Sequence, residues 1–386
     1  MSFFNIQAQY QRRELEDILS QSTPEDVLRV LQKASLNEKD FLMLLSPAAL
    51  PFLEQMAQKA HQITIRQFGK TILLFTPMYL SNFCTNQCVY CGFNTCNQIT
   101  RKQLTLEEVE IEAKAIADTG LKHILILTGD ARNIASIDYL KSCIHILSRY
   151  FTSISIEIYA LEAHEYRELI HAGVDALTIY QETYNPELYR ELHGKGPKSD
   201  YQFRIEAPER ACREKIRAVN IGALLGLDEW QIEAFMTGIH AAYLQDSFPE
   251  VEVSISLPRM RPHAGEFQPQ CIVNDRNLIQ ILLAFRLFMP RAGITISTRE
   301  SETFRNNILR LGVTKMSAGS TTRVGGHTNS EENTGQFEIS DHRTVSEMKS
   351  FIQSHGYQPV FKDWQPISGM DSTIKENHFE EFRNPG

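Results

Sequence analysis

Long apolar runs are missing from this chain: no uncharged hydrophobic stretch in its 386 residues approaches the roughly 18 needed to cross a bilayer, so no membrane association is expected. The first sixteen residues also lack the basic start, apolar middle and small-residue site of a signal peptide, which points to a cytoplasmic protein. Positive charge is in deficit, with 39 Lys and Arg against 47 Asp and Glu, giving a formal charge of -8. No basic surface broad enough to neutralise phosphates is apparent, and nucleic acid is not expected as a partner. Cysteine is sparse too: seven in so long a chain cannot form a disulfide scaffold. No Gly-x-Gly-x-x-Gly follows the first β-rich run, which disfavours a dinucleotide-binding open sheet.

What is present alternates. From Tyr10 to about Gln62 apolar residues recur at helical spacing, with cap signals at Ser22 to Asp26 and Asn37 to Asp40. Short β-rich runs follow, separated by amphipathic stretches: Ile72 to Phe75, Ile124 to Leu127, Ser153 to Tyr159, Ala176 to Tyr180, Asn220 to Gly226, Val251 to Leu257, Gly293 to Ser297 and Thr314 to Ala318. Eight such runs with helices between them predict an α/β protein, a (β/α)8 TIM-type barrel. A helical N-terminal extension over 1–68, a barrel over 69–322, and a C-terminal loop, helix and tail over 323–386 complete the expected organisation. Helices are expected at 105–119, 163–172 and 345–354.

Four of the cysteines, Cys84, Cys88, Cys91 and Cys96, fall within thirteen residues just after the first strand, at the end of a barrel where catalytic groups gather. Cys143, Cys212 and Cys271 lack ligand spacing and read as structural. Three thiolates at Cys84-x3-Cys88-x2-Cys91 suit a [4Fe-4S] cubane whose fourth iron stays open to a further ligand. A zinc knuckle would recruit a fourth ligand, which Cys96 could supply. In the run Ser153 to Tyr159, Ser155, Glu157 and Tyr159 share one face, so if the Ile residues pack outward a carboxylate points into the barrel and needs a partner there.

The cysteine spacing, with aromatic Tyr90 before the last Cys, resembles the motif of the radical S-adenosylmethionine (SAM) superfamily. That resemblance implies a radical SAM barrel with SAM chelated to the open iron and Tyr90 packed on its adenine. Thr128-Gly129-Asp130 resembles the Gly-Gly-Glu turn that meets the SAM amino group in this superfamily, with Asp130 where Glu is usual. Glu157 would then face SAM. Tyr180-Gln181-Glu182-Thr183-Tyr184 and Tyr201-Gln202-Phe203-Arg204 resemble SAM-holding stretches of biotin-synthase-like enzymes, implying cofactor contacts from Gln181 and from Arg204, the latter to the methionyl carboxylate.

Nearly the whole chain, through Gly356 to Trp364, resembles the 2-iminoacetate synthase (tyrosine lyase) family of thiamine biosynthesis. The stretches that carry this are Cys91-Gly92-Phe93, Leu257-Pro258-Arg259-Met260-Arg261-Pro262, Ser297-Thr298-Arg299-Glu300 and Met316-Ser317-Ala318-Gly319-Ser320. The resemblance implies that SAM is reductively cleaved to 5'-deoxyadenosine and methionine while L-tyrosine is split at Cα-Cβ into 2-iminoacetate and 4-cresol. It also implies a thiazole synthase subunit as partner and a flavodoxin- or ferredoxin-type reductant. The related tyrosine lyase of hydrogenase maturation holds a second cluster on C-terminal cysteines; with no Cys after Cys271, one cluster is expected here. Arg299, at the end of the seventh strand, is expected to clamp the tyrosine carboxylate, with Ser297, Ser320 and Arg259 as further substrate contacts. Gly325-Gly326-His327 is read either as part of a mobile lid near the site or as a plain loop. The competing readings are another radical SAM reaction, biotin-synthase-like or on a different amino acid, and a non-catalytic iron-sulfur protein.

Overall fold

Eight parallel strands close on themselves: β1 (Thr71–Ser81), β2 (His123–Thr128), β3 (Ser153–Glu157), β4 (Ala176–Glu182), β5 (Ala218–Ala223), β6 (Glu252–Ser256), β7 (Gly293–Ile296) and β8 (Lys315–Ser317). Each pairs with the next, and β1 pairs with both β2 and β8, which makes the sheet a barrel. The computed structural model describes residues 2–329 and 334–361. All eight expected strands are present, and the expected helices appear as Leu106–Asp118, Ala163–Ala172 and Val345–Ser354. The end of the family-like stretch, Lys362 to Trp364, and the expected tail lie outside the described residues.

Strand parity decides what faces where. Along β1, Ile72, Leu74, Met78 and Leu80 are fully buried, whereas Phe75, Pro77 and Tyr79 line a cavity in the lumen. The same alternation puts Ile154 and Ile156, Leu177 and Ile179, Val219 and Ile221, and Val253 and Ile255 into the surrounding core. Their inward neighbours are Ser155 and Glu157, Thr178 and Tyr180, Asn220, and Ser254 and Ser256. Small and polar residues therefore occupy positions that branched apolar side chains fill in an ordinary barrel core. The hydrophobic effect stabilises the outer layer, and the lumen is left open to a ligand.

The N-terminal extension docks on the barrel's helices. Its caps form at Thr23 with Asp26 and at Asn37 with Asp40, each a reciprocal capping box. Helix Glu38–Leu45 and helix Leu53–Phe68 both pack on helix Asp275–Phe288. Phe41 stacks on Phe288 with ring centroids 4.5 Å apart, and a Cβ at Gly238 would lie 2.3 Å from the Phe41 ring. Gly costs a helix interior about 1 kcal/mol; burying Phe41 contributes about 2–3 kcal/mol, so the exchange favours the docked extension.

Two features depart from the expected layout. β1 has eleven residues and runs through Pro77, past the four expected. A ninth strand, β9 (Gln358–Val360), pairs in parallel with Thr71 to Leu73 of β1. The C-terminal segment is thus part of the barrel's sheet, and its hydrophobic residues Val345, Met348, Ile352 and Tyr357 belong to the same core as Phe3.

Candidate active site

The cysteine loop leaves β1 and folds back over the barrel mouth, held by hydrogen bonds to its own carbonyls. Arg101 donates to the carbonyls of Asn82 (2.7 Å), Phe93 (2.9 Å), Asn94 (2.7 Å) and Asn97 (3.2 Å). Asn97 Nδ2 donates in turn to the carbonyls of Cys91, Gly92 and Ala264. Two glycines permit the close approach this needs: a Cβ at Gly129 would meet the Phe83 carbonyl oxygen at 2.2 Å, and one at Gly92 would meet the Gln336 carbonyl at 2.6 Å. Arg101 was not among the residues singled out from sequence, because its role lies in backbone acceptors that no motif records.

Cys84, Cys88 and Cys91 line one cleft enclosing ≈ 980 Å³. Among the described residues, no three His, Cys, Asp or Glu side chains converge closely enough to hold a single metal ion. Three thiols spread around a shared cavity fit a cubane, which separates its ligands, better than a zinc ion. Cys96 is exposed and does not line the cleft. Burial pushes the Cys88 thiol up to about 12 and the Cys91 thiol upward, so both ionise only against a cation such as iron. Gln336 Nε2 lies 3.7 Å from Cys91 Sγ, while its Oε1 accepts from the Tyr79 hydroxyl at 2.8 Å.

The same cleft is lined by Tyr90, Gly129, Asp130, Glu157 and Arg204, five of the six expected cofactor contacts. Tyr90 sits on a small apolar cluster of Leu188, Leu192, Leu224 and Leu227, and its hydroxyl bonds His193 Nε2. Asp130 braces the cysteine loop: its carbonyl accepts from Thr85 N at 2.8 Å and Thr85 Oγ1 at 2.9 Å, and its Oδ2 accepts from Asn86 at 2.8 Å. Three buried polar atoms of the lining, Thr128 Oγ1, Asp130 Oδ1 and Arg261 Nε, have no protein partner. Partnerless polar atoms beside a cavity are what a polar ligand such as SAM would satisfy. The cleft thus fits both groups.

Gln181 does not line the cleft; it is buried with both amide atoms unpartnered. Thr178 and Tyr180 face inward, and past them Glu182, not Gln181, lines the cleft. Glu182 accepts from Lys198 Nζ at 2.6 Å and lies 3.9 Å from Arg204 Nη2, while Arg204 Nε donates to the Tyr180 carbonyl at 3.0 Å. A bulge between Tyr180 and Glu182 leaves Glu182 at φ 71°, a left-handed conformation that costs a non-glycine residue energy and tends to mark functional sites.

Below this cleft lies a chamber of ≈ 750 Å³ inside the lumen. The two share Tyr79, Leu127, Glu157, Tyr180, Arg299 and Phe337. Burial raises the Glu157 carboxyl to about 7, against the lowering pull of Arg299. Arg299 lies 3.4 Å above the Phe337 ring centroid and has no ion-pair partner among the described residues. Glu300, its neighbour in sequence, is held by Arg259 and Arg261. Ser297 and Ser320 line the chamber, and Ser320 Oγ is buried without a partner.

Arg259 is the second departure from the expected site. It lines neither space; Nε donates to Glu300 Oε1 at 3.0 Å and Nη1 to the Val273 carbonyl at 3.0 Å. A guanidinium so engaged braces the wall behind Arg261 and Arg299. Gly325-Gly326-His327 is anchored to the barrel: His327 Nε2 bonds the Pro77 carbonyl at 2.9 Å, and Glu112 accepts from the backbone of His327 and Thr328.

A Radical SAM superfamily model matches residues 78–237, and a model of the Biotin and Thiamin Synthesis associated domain matches residues 256–358. The 2-iminoacetate synthase of Escherichia coli is 38% identical over 91% of this chain and 93% of its own. That of Salmonella typhimurium is 36% identical over 95% and 98%. Among solved structures, the FeFe-hydrogenase maturase HydG from Carboxydothermus hydrogenoformans superposes with a TM-score of 0.83 at 30% identity, covering 94% of this chain and 83% of that one. No described helix is long and apolar enough to cross a membrane. With the barrel, the three-cysteine loop and identity spread over nearly the full length in agreement, the chain belongs to the 2-iminoacetate synthase family of radical SAM lyases.

Proposed function

We infer that the upper cleft holds SAM on a single [4Fe-4S] cluster bound by Cys84, Cys88 and Cys91, and that the lumen chamber holds L-tyrosine for cleavage to 2-iminoacetate and 4-cresol. Arg299 carries this reading: it is a cation lining both spaces, and no carboxylate of the described chain partners it. When bound, the cluster and SAM supply a carbon-centred radical able to abstract a hydrogen atom.

The chain's own residues do the positioning. Arg299 grips the tyrosine carboxylate bidentately, assisted by the unpartnered Ser320 hydroxyl and by Ser297. That grip sets the tyrosine amine at the boundary where the two spaces meet, beside Glu157. With its carboxyl raised to about 7, Glu157 can accept or return a proton there near neutral pH. Tyr90, Gly129, Asp130 and Arg204 line the SAM side, joined by Lys198, Glu182 and Arg261. Gln336 and Phe337 close the wall between cluster loop and substrate.

Membership in a thiamine-pathway family supports delivery of 2-iminoacetate to a thiazole synthase subunit, with electrons from a flavodoxin- or ferredoxin-type protein. Anaerobic protein loaded with iron and sulfide, then given SAM, dithionite and tyrosine, should form 5'-deoxyadenosine and 4-cresol together. Turnover of another amino acid without cresol would favour a different radical SAM lyase. Zinc in place of iron would overturn the cofactor assignment.

A further inference from the structure

The lumen chamber is graded from top to bottom. Its rim carries Arg299, Ser297 and Ser320, its middle is walled by Phe75, Pro77, Leu125 and Leu127, and its floor is polar. Thr178, Asn220, Thr295 and Lys315 form that floor, for they also line a separate space beneath it. Strand pairing sets Thr178 opposite Asn220, and Thr295 opposite both Ser256 and Lys315, and the hydrogen bond from Asn220 to Ser256 joins the two sets.

Most of the floor is already engaged. Asn220 Nδ2 donates to Ser256 Oγ at 2.8 Å and to Thr178 Oγ1 at 3.3 Å, and its Oδ1 accepts from Ser254 at 3.1 Å. Thr295 is the exception: it is 6% exposed, and its Oγ1 is buried with no partner. The ammonium of Lys315, on the next strand, lies 3.3 Å from His123 Nε2 and 4.8 Å from the Phe75 ring centroid.

We propose that Thr295 and Lys315 seat the phenolic hydroxyl of the substrate and set the preference for tyrosine over phenylalanine. This rests on the reading of the chamber as the tyrosine site. Thr295 Oγ1 accepts the phenol hydrogen, and the Lys315 ammonium donates to the phenol oxygen. Thr295 and Arg299 both line the one chamber, Thr295 on the strand at its floor and Arg299 in the turn that follows the strand at its rim. An apolar middle suits the ring between them. Phenylalanine would leave the Thr295 hydroxyl buried and unsatisfied, the arrangement by which sites built around a substrate hydroxyl reject its deoxy analogue.

The test uses anaerobic, cluster-loaded enzyme and compares the KM for tyrosine with the Ki of phenylalanine as an inhibitor of 4-cresol formation. Thr295→Val should raise the tyrosine KM about 10- to 100-fold and lower the phenylalanine Ki, because phenylalanine would no longer strand a buried hydroxyl. Thr295→Ser should restore the wild-type ratio. Lys315→Met, an independent probe of the same floor, should narrow the ratio in the same direction. A change in iron content does not enter either quantity, since both are read from the active fraction. If Thr295→Val and Lys315→Met both keep the wild-type ratio of Ki to KM, the floor does not read the phenol and the proposal is overturned. If the unaltered enzyme forms no 4-cresol from tyrosine, the tyrosine reading itself falls, an outcome distinct from the first.

Discussion

Replacing Arg299 by Gln tests the substrate assignment most directly, because it keeps a polar hydrogen-bond donor on a shorter side chain while deleting the charge. Arg299 lines both spaces, and among the described residues its side chain meets the Arg259 carbonyl at 3.4 Å and the Phe337 ring and forms no salt bridge, with Glu157 coupled to it through a longer-range field. A bidentate guanidinium-carboxylate pair makes two charge-assisted hydrogen bonds, and losing them costs about 2–4 kcal/mol. At about 1.4 kcal/mol per decade, that is roughly a 30- to 1000-fold fall in kcat/KM for tyrosine. The grip acts on bound substrate and transition state alike, so most of the loss should appear as a higher tyrosine KM. The variant should keep its iron and still convert SAM slowly to 5'-deoxyadenosine without cresol, since Arg299 contacts none of the cysteines. A second signature follows from electrostatics. Arg299 holds the Glu157 carboxyl down, so without it the Glu157 pKa should rise above about 7 and move any pH dependence due to Glu157 to higher pH. Steady-state assays of cresol and 5'-deoxyadenosine from pH 6 to 9 measure both effects. Unchanged kcat/KM for tyrosine in Arg299→Gln would refute the carboxylate clamp.

Three more outcomes are expected. Gly129→Ala places a Cβ 2.2 Å from the Phe83 carbonyl and 3.2 Å from Cys84 Cβ, so the cysteine loop must shift and iron per chain should drop severalfold with secondary structure retained by circular dichroism. Cys88→Ser should lose the iron-sulfur absorbance, whereas Cys96→Ser, altering an exposed residue outside the cleft, should keep it. Burial raises Glu233 to about 8, well above an unfolded carboxyl near 4.3, so the folded chain binds the extra proton and loses stability as pH climbs from about 4 to about 8. Glu233→Gln should therefore flatten the fall in Tm between pH 6 and 9; an unaltered pH slope would show that Glu233 ionises normally.

The structure also shows why some residues were visible in the sequence and others not. Glu157 could be read from alternation alone, whereas Glu182 rather than Gln181 enters the cleft at a bulge, which interrupts alternation and leaves no period to read. Arg259 and Arg299 are both cations at strand ends, and sequence does not distinguish them. The pairing of Arg259 with Glu300 does, leaving Arg299 for a ligand. Lys198 lies in a single 3-10 turn, Pro197–Ser199, too short to carry a periodic signal, yet it contacts Glu182 in the cleft.

Local chemistry along the chain determined the cysteine nest, the eight strands and the inward face of each strand, because thiolate spacing and strand parity act over a few residues. Tertiary structure alone decided what the nest leans on. Gln336 reaches Cys91 across 245 positions of sequence, Phe337 lies under Arg299, and β9 joins β1 from the far end of the chain. Closure of the barrel brings these groups together, and contacts fixed by closure have no period for a sequence to carry.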